Sequence, residues 1–375
     1  MPIDSSFFDL SVIERVMRRH KAYTYVLLSL LFCYLIFNLV TWKLFTNRLL
    51  NDPDCPGGDL TRMAYISGSK TCRQNENNLP VKHIKRDQLN EQKIDVLTIG
   101  DSFSNGGGGG RNSYYQDYIA SLNNFSVLNI PQYKKLDKIS TISILNNNGY
   151  LDKIKPRFVL IEYSEKLCFT DFPDRIDFNK SISEKELEQY ESVKYYQKTE
   201  SADNRLVKLD FFSQANYKLV RNSILYHFSD NAFDGQVYKA KLDRDLFSAK
   251  NADVLLFFHA DIKYRKRYTA ENIAKLNGYL NVLGDRLATK GIKLYFMPCV
   301  DKYNLYSKYI IDNKYPEGTF FEELRKLPKR YDLIDTKKIL LKELEKGVID
   351  LYHADDTHWS WKAAEQIFTQ VRFNR

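Results

Sequence analysis

Between Ala22 and Trp42 the chain reads AYTYVLLSLLFCYLIFNLVTW, 21 residues without a charge. The run is apolar around the whole circumference of a helix, so it leaves no polar face for water and makes a poor core helix. As a helix it is roughly 31 Å long, enough to cross the hydrocarbon core of a bilayer. It is long for the h-region of a signal peptide and lacks an A-x-A-like cleavage site, so residues 22–45 read as an uncleaved anchor. Arg15, Arg18, Arg19 and Lys21 precede it, and only Lys43 and Arg48 follow closely. The positive-inside rule then predicts a single-pass membrane protein. Residues 1–21 are expected in the cytoplasm and the rest in the periplasm or another extracytoplasmic space.

An exported compartment permits disulfides. Of five cysteines, Cys33 lies in the apolar run, and Cys55 and Cys72 bracket a short loop containing glycine and proline just beyond it. A Cys55–Cys72 bridge is compatible with that spacing, and the sequence leaves the pairing open. Cys168 and Cys299 each follow an apolar run and read as buried free thiols. Hydrophobic residues make up 43% and charged residues 27%, a balance that builds a core and excludes bulk disorder. The net charge of +9 suits an acidic polymer or anionic lipid, and an ordinary soluble surface accounts for it equally well. The lysines are scattered among acids and form no nucleic-acid motif, so no nucleic-acid partner is expected.

Residues 46–90 are polar and turn-rich and read as a stalk, with one domain over 91–375. Short apolar runs then alternate with helical stretches. Candidate strands are Ile94–Ile99, Ser126–Asn129, Phe158–Glu162 and Ile292–Met297, with a weaker one at Tyr331–Ile334. Continuous Val, Ile, Leu and Phe suit strands buried on both faces. Glu271–Lys290 carries Ile273, Leu276, Leu280, Leu283 and Leu287 on one helical stripe, and Gly291 stops it. The expected fold class is α/β, a doubly wound parallel sheet. Residues 165–270 interrupt the rhythm and read as a helical insertion or lid, with patches such as SEKELEQYESVKYY and NYKLVRNSILYHF.

The chemistry gathers at two places. VLTIGDSFSNGGGGGRNSYY (Val96–Tyr115) puts Ser102 three residues past a strand, where open α/β sheets bind ligands. A serine hydroxyl is a weak nucleophile and needs a base. HADDTHWSWKAAEQIF, close to Arg375, supplies His358, with Asp356 or Asp355 to orient it. Ser360 is a good N-cap for a helix behind it. Gly106–Gly110 fits no P-loop register, because Arg111 follows where lysine-serine is needed. The glycines read as a flexible rim beside the nucleophile or as a loop without a role. His353, Asp355, Asp356 and His358 match no standard zinc spacing, so neither a metal nor another cofactor is expected.

GDSFS after a strand, with DTHW near the C-terminus, resembles the GDSL/SGNH hydrolases and acyltransferases. The nearest branch by these motifs is that of the alginate O-acetylation proteins and their DHHW-type relatives. PCVDKYNLY (Pro298–Tyr306) resembles the branch's Pro-x-x-x-Lys-x-x-x-Tyr segment, and VLIEYSEK (Val159–Lys166) resembles its E-x-x-E-R segment with lysine for arginine. The resemblance implies an SGNH-like fold with Ser102 as nucleophile, His358 as base and Asp356 as acid. D-T-H-W spacing favours Asp356, and the D-x-x-H spacing of the wider superfamily favours Asp355. It also directs attention to Phe103, Gly106, Lys166, Lys302 and Tyr306 as oxyanion or substrate-binding candidates. The superfamily's oxyanion glycine and asparagine are not evident at Asn129–Gln132 or Glu162–Ser164. The implied activity is O-acetyl transfer to a cell-envelope polysaccharide, beside a polytopic membrane-bound O-acyltransferase. An esterase of envelope glycans and a non-catalytic glycan-binding or assembly subunit are the alternatives.

Overall fold

The apolar runs come together as a parallel sheet. In a computed structural model, its strands are β1 (Ile84–Lys85), β2 (Val96–Ile99), β3 (Val127–Ile130) and β4 (Phe158–Ser164), with β7 (Lys293–Cys299) and β8 (Asp332–Leu333) completing it. Their order is β1-β3-β2-β4-β7-β8, and every neighbouring pair is parallel. The structure describes residues 10–374 apart from 53, 56, 76, 90–92, 171–174, 191, 193–210 and 233–234.

β2, β3 and β4 are buried at every position, as strands covered on both faces must be. Helices provide the cover. Ala270–Ala288 buries the stripe Ile273, Leu276, Leu280, Leu283 and Leu287, and its Thr269 cap accepts from the Asn272 N–H. Trp361–Gln370 begins at Ser360, whose hydroxyl accepts from the Lys362 N–H. Edge strand β1 lies inside the segment expected as stalk; two residues of pairing leave no periodic signal.

The insertion is not wholly helical. It holds the helices Glu184–Gln189 and Gln214–Leu225, but also an antiparallel pair, β5 (Val237–Lys241) with β6 (Val254–Phe258). Beyond Gln189, most of the SEKELEQYESVKYY patch lies outside the described residues. Val237, Tyr226, Ala232 and Leu256 form a second small core with Leu60 and Ala64.

Leu60 and Ala64 belong to the expected stalk, which packs rather than extends. The N-terminal helix runs from Leu10 to Thr41 and continues through a wider π-type turn, Trp42–Thr46, to Leu50. Its Glu14–Leu50 stretch is long and apolar enough to cross a membrane. The chain then turns back, closed by a Cys55–Cys72 disulfide, so that Gly57 lies against the Leu49 carbonyl and side chain. Cys168 and Cys299 are buried and free.

Candidate active site

Ser102 stands at the C-terminal edge of the sheet, in the turn that leaves β2. That turn is fixed from below by Glu162 on neighbouring β4. One of its carboxyl oxygens accepts from the Asp101 N–H (2.9 Å), the Ser104 N–H (3.2 Å) and the Ser104 hydroxyl (2.8 Å). Gly100 is obligatory there, because a Cβ would collide with Ser104 Oγ and Glu162. Burial, reinforced by the Asp101 charge, pushes the Glu162 pKa well above the usual carboxylate range. Burial also acts to raise Asp101, but Lys138, 3.6 Å away and fully buried, together with hydrogen bonds from Glu162 and the Ser164 and Phe103 N–H groups, outweighs it and keeps Asp101 low.

His358 reaches the serine from the other end of the chain. Its Nε2 lies 2.7 Å from Ser102 Oγ, and its Nδ1 lies 2.7 Å from Asp356 Oδ1. A carboxylate on Nδ1 places the ring proton there and leaves Nε2 to accept the serine hydroxyl. Burial alone would depress the His358 pKa, but the hydrogen bond and charge of Asp356 outweigh it and the net shift is upward. Burial likewise opposes the Asp356 charge, yet the bond to His358 and the charges of His358 and Arg73 hold it far below the usual range.

The geometry separates the two candidate acids. Asp356 faces the imidazole. Asp355 turns away, accepting from the Gly58 N–H (2.8 Å) and the Thr71 N–H (3.1 Å) and pairing with Arg73 at 2.9 Å. Arg73 also reaches Asp356 (3.3 Å) and donates to the Gly108 carbonyl (2.9 Å). One buried guanidinium thus ties both acids to the glycine loop.

The remaining sequence candidates hold the site rather than line it. Phe103 is buried, with its ring 4.9 Å from His358 and 4.8 Å from Trp359, and its N–H donates to Asp101 (3.3 Å). It is therefore not a free oxyanion donor. Lys302 is fully buried and donates to three carbonyls of the histidine loop: His353 (2.7 Å), Ala354 (2.9 Å) and Asp356 (3.0 Å). Burial takes its pKa down to about 8 despite the nearby aspartates. The buried Tyr306 hydroxyl accepts from the Tyr352 N–H at the start of that loop. Lys166 bridges Asp261 (2.9 Å) of the insertion and Asp301 (3.3 Å) after β7, with no contact to the serine. Gly106 has φ +72° and opens the turn. Its neighbour Gly107 donates to the Ser102 carbonyl (2.8 Å) and lies so close to His358 that a Cβ would strike the ring. Gly107 and Gly108 are thus packed onto the imidazole, while Gly109 is exposed with nothing against it.

Sequence reasoning missed Asp59 and Arg73, and marked Glu162 only as the first glutamate of the E-x-x-E-R-like segment. Asp59 accepts from the Thr357 N–H (2.8 Å) and sits 3.9 Å from His358 Nδ1. Burial, then the Asp356 charge, raises its pKa to about 6. The cysteine bracket around residues 55–72 was the one available signal that this segment is structured; nothing local marks Arg73. Asp59, Asp356 and His358 offer ligand atoms within 4.8 Å of one another. Both His358 nitrogens are already taken up by Ser102 and Asp356, so a cation would have to displace that pair.

No protein-family model matches the chain, and no curated protein matches it.

Proposed function

We propose that the chain is a membrane-anchored, SGNH-type serine acyltransferase that moves an acetyl group onto a cell-envelope polysaccharide. One observation carries the serine chemistry: Ser102, His358 and Asp356 form an unbroken relay with two 2.7 Å contacts. Ser102 Oγ attacks the acyl carbonyl as His358 Nε2 takes its proton, and Asp356 stabilises the imidazolium. Collapse of the tetrahedral intermediate breaks the bond to the leaving group, which receives that proton. An acyl-serine remains. An acceptor hydroxyl then gives its proton to His358, attacks the acyl carbon and releases Ser102. The backbone N–H of Ser102 is the oxyanion donor that needs no particular side chain.

Transfer is favoured over hydrolysis by the motif resemblance and by the one membrane-length helix among the described residues, which suits work beside a polytopic acyl exporter with the domain outside the cytoplasm. The test is direct. The full chain in detergent micelles is offered a chromogenic acetyl ester, with and without oligosaccharide acceptors. Turnover should vanish in Ser102→Ala and His358→Ala, and intact mass should show one acetyl group on Ser102 in the wild type. Release as free acetate with every acceptor would make the protein an esterase. No turnover and no adduct in a folded wild type, even with an exporter co-expressed, would overturn the catalytic reading.

A further inference from the structure

The turn after β2 distributes its amides unequally. The Asp101 and Ser104 N–H groups go to one oxygen of Glu162 (2.9 and 3.2 Å), and the Phe103 N–H goes to the Asp101 carboxyl (3.3 Å). The Asn105 N–H goes to the Ser102 carbonyl (3.1 Å). Of the amides from 101 to 105, that of Ser102 alone has no acceptor among the described residues. The clamp that leaves it free is built from two carboxyl groups, Asp101 and Glu162, both buried and hydrogen-bonded to each other.

Two carboxylates are both acceptors, so a hydrogen bond between the groups requires a proton on one of them. The charges around the pair agree. Lys138, fully buried and 3.6 Å from Asp101, is the one cation within ion-pair distance of either carboxyl among the described residues. Its ammonium makes no hydrogen bond among those residues and rests 3.5 Å from the centre of the Tyr163 ring. Three other titratable groups face the cluster. The Tyr115 hydroxyl lies 2.8 Å from Ser104 Oγ, Cys299 Sγ lies 3.5 Å from the second oxygen of Glu162, and Cys168 is buried beside them. Burial pushes all three far above their ordinary pKa values, so they stay neutral. One buried cation then balances one buried anion. Asp101 receives the Ser164 N–H (2.8 Å) as well as Lys138 and is that anion. A second negative charge, on Glu162, would stand beneath the Ser102 turn and oppose an oxyanion in a low-dielectric site.

We propose that Asp101 and Glu162 share one proton, carried by Glu162, and that this neutral carboxyl is the positioning residue that keeps the Ser102 N–H free for the oxyanion. The shared proton stands on the buried cluster alone. The positioning role rests on the acyl-transfer reading.

The test uses the full chain in a detergent without carbonyl groups, at mildly alkaline pH, where exposed carboxyls are ionised. Infrared difference spectra compare the wild type with Glu162→Gln and with Asp101→Asn, and ester kinetics are run alongside. Glu162→Gln should remove a carboxylic-acid C=O stretch. Asp101→Asn should shift or abolish an acid stretch, because it changes the acceptor of the proton. Carboxylate bands alone in the Glu162 spectrum would overturn the shared proton. So would an acid region untouched by Asp101→Asn, which decides the matter even where Glu162→Gln fails to fold. The Gln amide can accept from both N–H groups and donate to Asp101. Its kcat/KM should therefore stay well within the roughly 10²-fold that one lost oxyanion donor costs, whereas Glu162→Ala should lose at least that much. A Gln variant as slow as the Ala variant, or an Ala variant as fast as the wild type, would overturn the positioning role. An inactive wild type that shows the acid stretch would remove the acyl-transfer reading and the positioning role, and would still support the shared proton.

Discussion

At the residue scale, two adjacent aspartates have been given different work. Asp356 orients the imidazole, while Asp355 satisfies Arg73 and two backbone N–H groups. Asp356→Asn should therefore lower ester turnover about 10⁴-fold with the fold intact. Asp355→Asn should be felt first as stability, since it weakens the pairing of a buried guanidinium, with a loss of about 3 kcal/mol. Turnover and urea unfolding measured side by side on both variants separate these roles. The pH dependence follows from the same contacts. In the proposed mechanism the neutral imidazole is the base, and its pKa lies above the ordinary 6.5, so kcat/KM should fall as pH drops through a limb centred above 6.5. The Asp59 charge contributes to that rise. Asp59→Asn removes a negative charge near Nδ1 and should move the limb to lower pH. An unmoved limb in the pH–rate profile would mean that Asp59 acts only on Thr357.

At the scale of elements, the glycine loop is a fitted cover. Gly107 leaves no room for a Cβ beside His358, so Gly107→Ala must push the ring from Ser102. A displacement of about 1 Å costs roughly 10²-fold in rate, which steady-state kinetics on a variant with unchanged circular dichroism would detect. The sequence made Gly107 look like part of a low-complexity stretch, because five like residues carry no information about what lies above them. The strands were legible for the opposite reason: Val96–Ile99 and Phe158–Ile161 are buried on both faces and, apart from Thr98, wholly apolar. The Ala270–Ala288 helix announced itself by its stripe and its Gly291 stop. The β5–β6 pair did not, because burial along Val237–Lys241 is only partial. Ser102, Asp356 and His358 were readable because a serine past a strand and an Asp-x-His before a helix supply complementary parts of one relay, although serine and aspartate are each common in turns. Lys302 and Lys166 were noticed for their motif, yet their partners are carbonyls and carboxylates whose positions only the tertiary fold reveals.

Across the whole molecule, a short chain of contacts joins the N-terminal helix to the acid of the relay. Leu49 touches Gly57, Gly58 donates to Asp355, and Asp59 donates to Asp356. The Cys55–Cys72 disulfide closes this segment across a separation of 17 residues. Cys55→Ser should cost about 3 kcal/mol of stability in the chain-entropy account. It should also lower turnover, because Gly58, Asp59, Thr71 and Arg73 lose a common frame; thermal unfolding and ester kinetics of the variant measure both. The absence of a free stalk has a further consequence. A domain on a long flexible leash samples a hemisphere of space, and its encounters follow bulk concentration. This one is mounted at a fixed height, with seven residues between Leu50 and Gly58, a reach of at most about 28 Å. With the helix seated in a bilayer as proposed, its encounters are counted per unit area. Its rate should track how densely donor and acceptor crowd the same leaflet, and polymer beyond that layer is out of range.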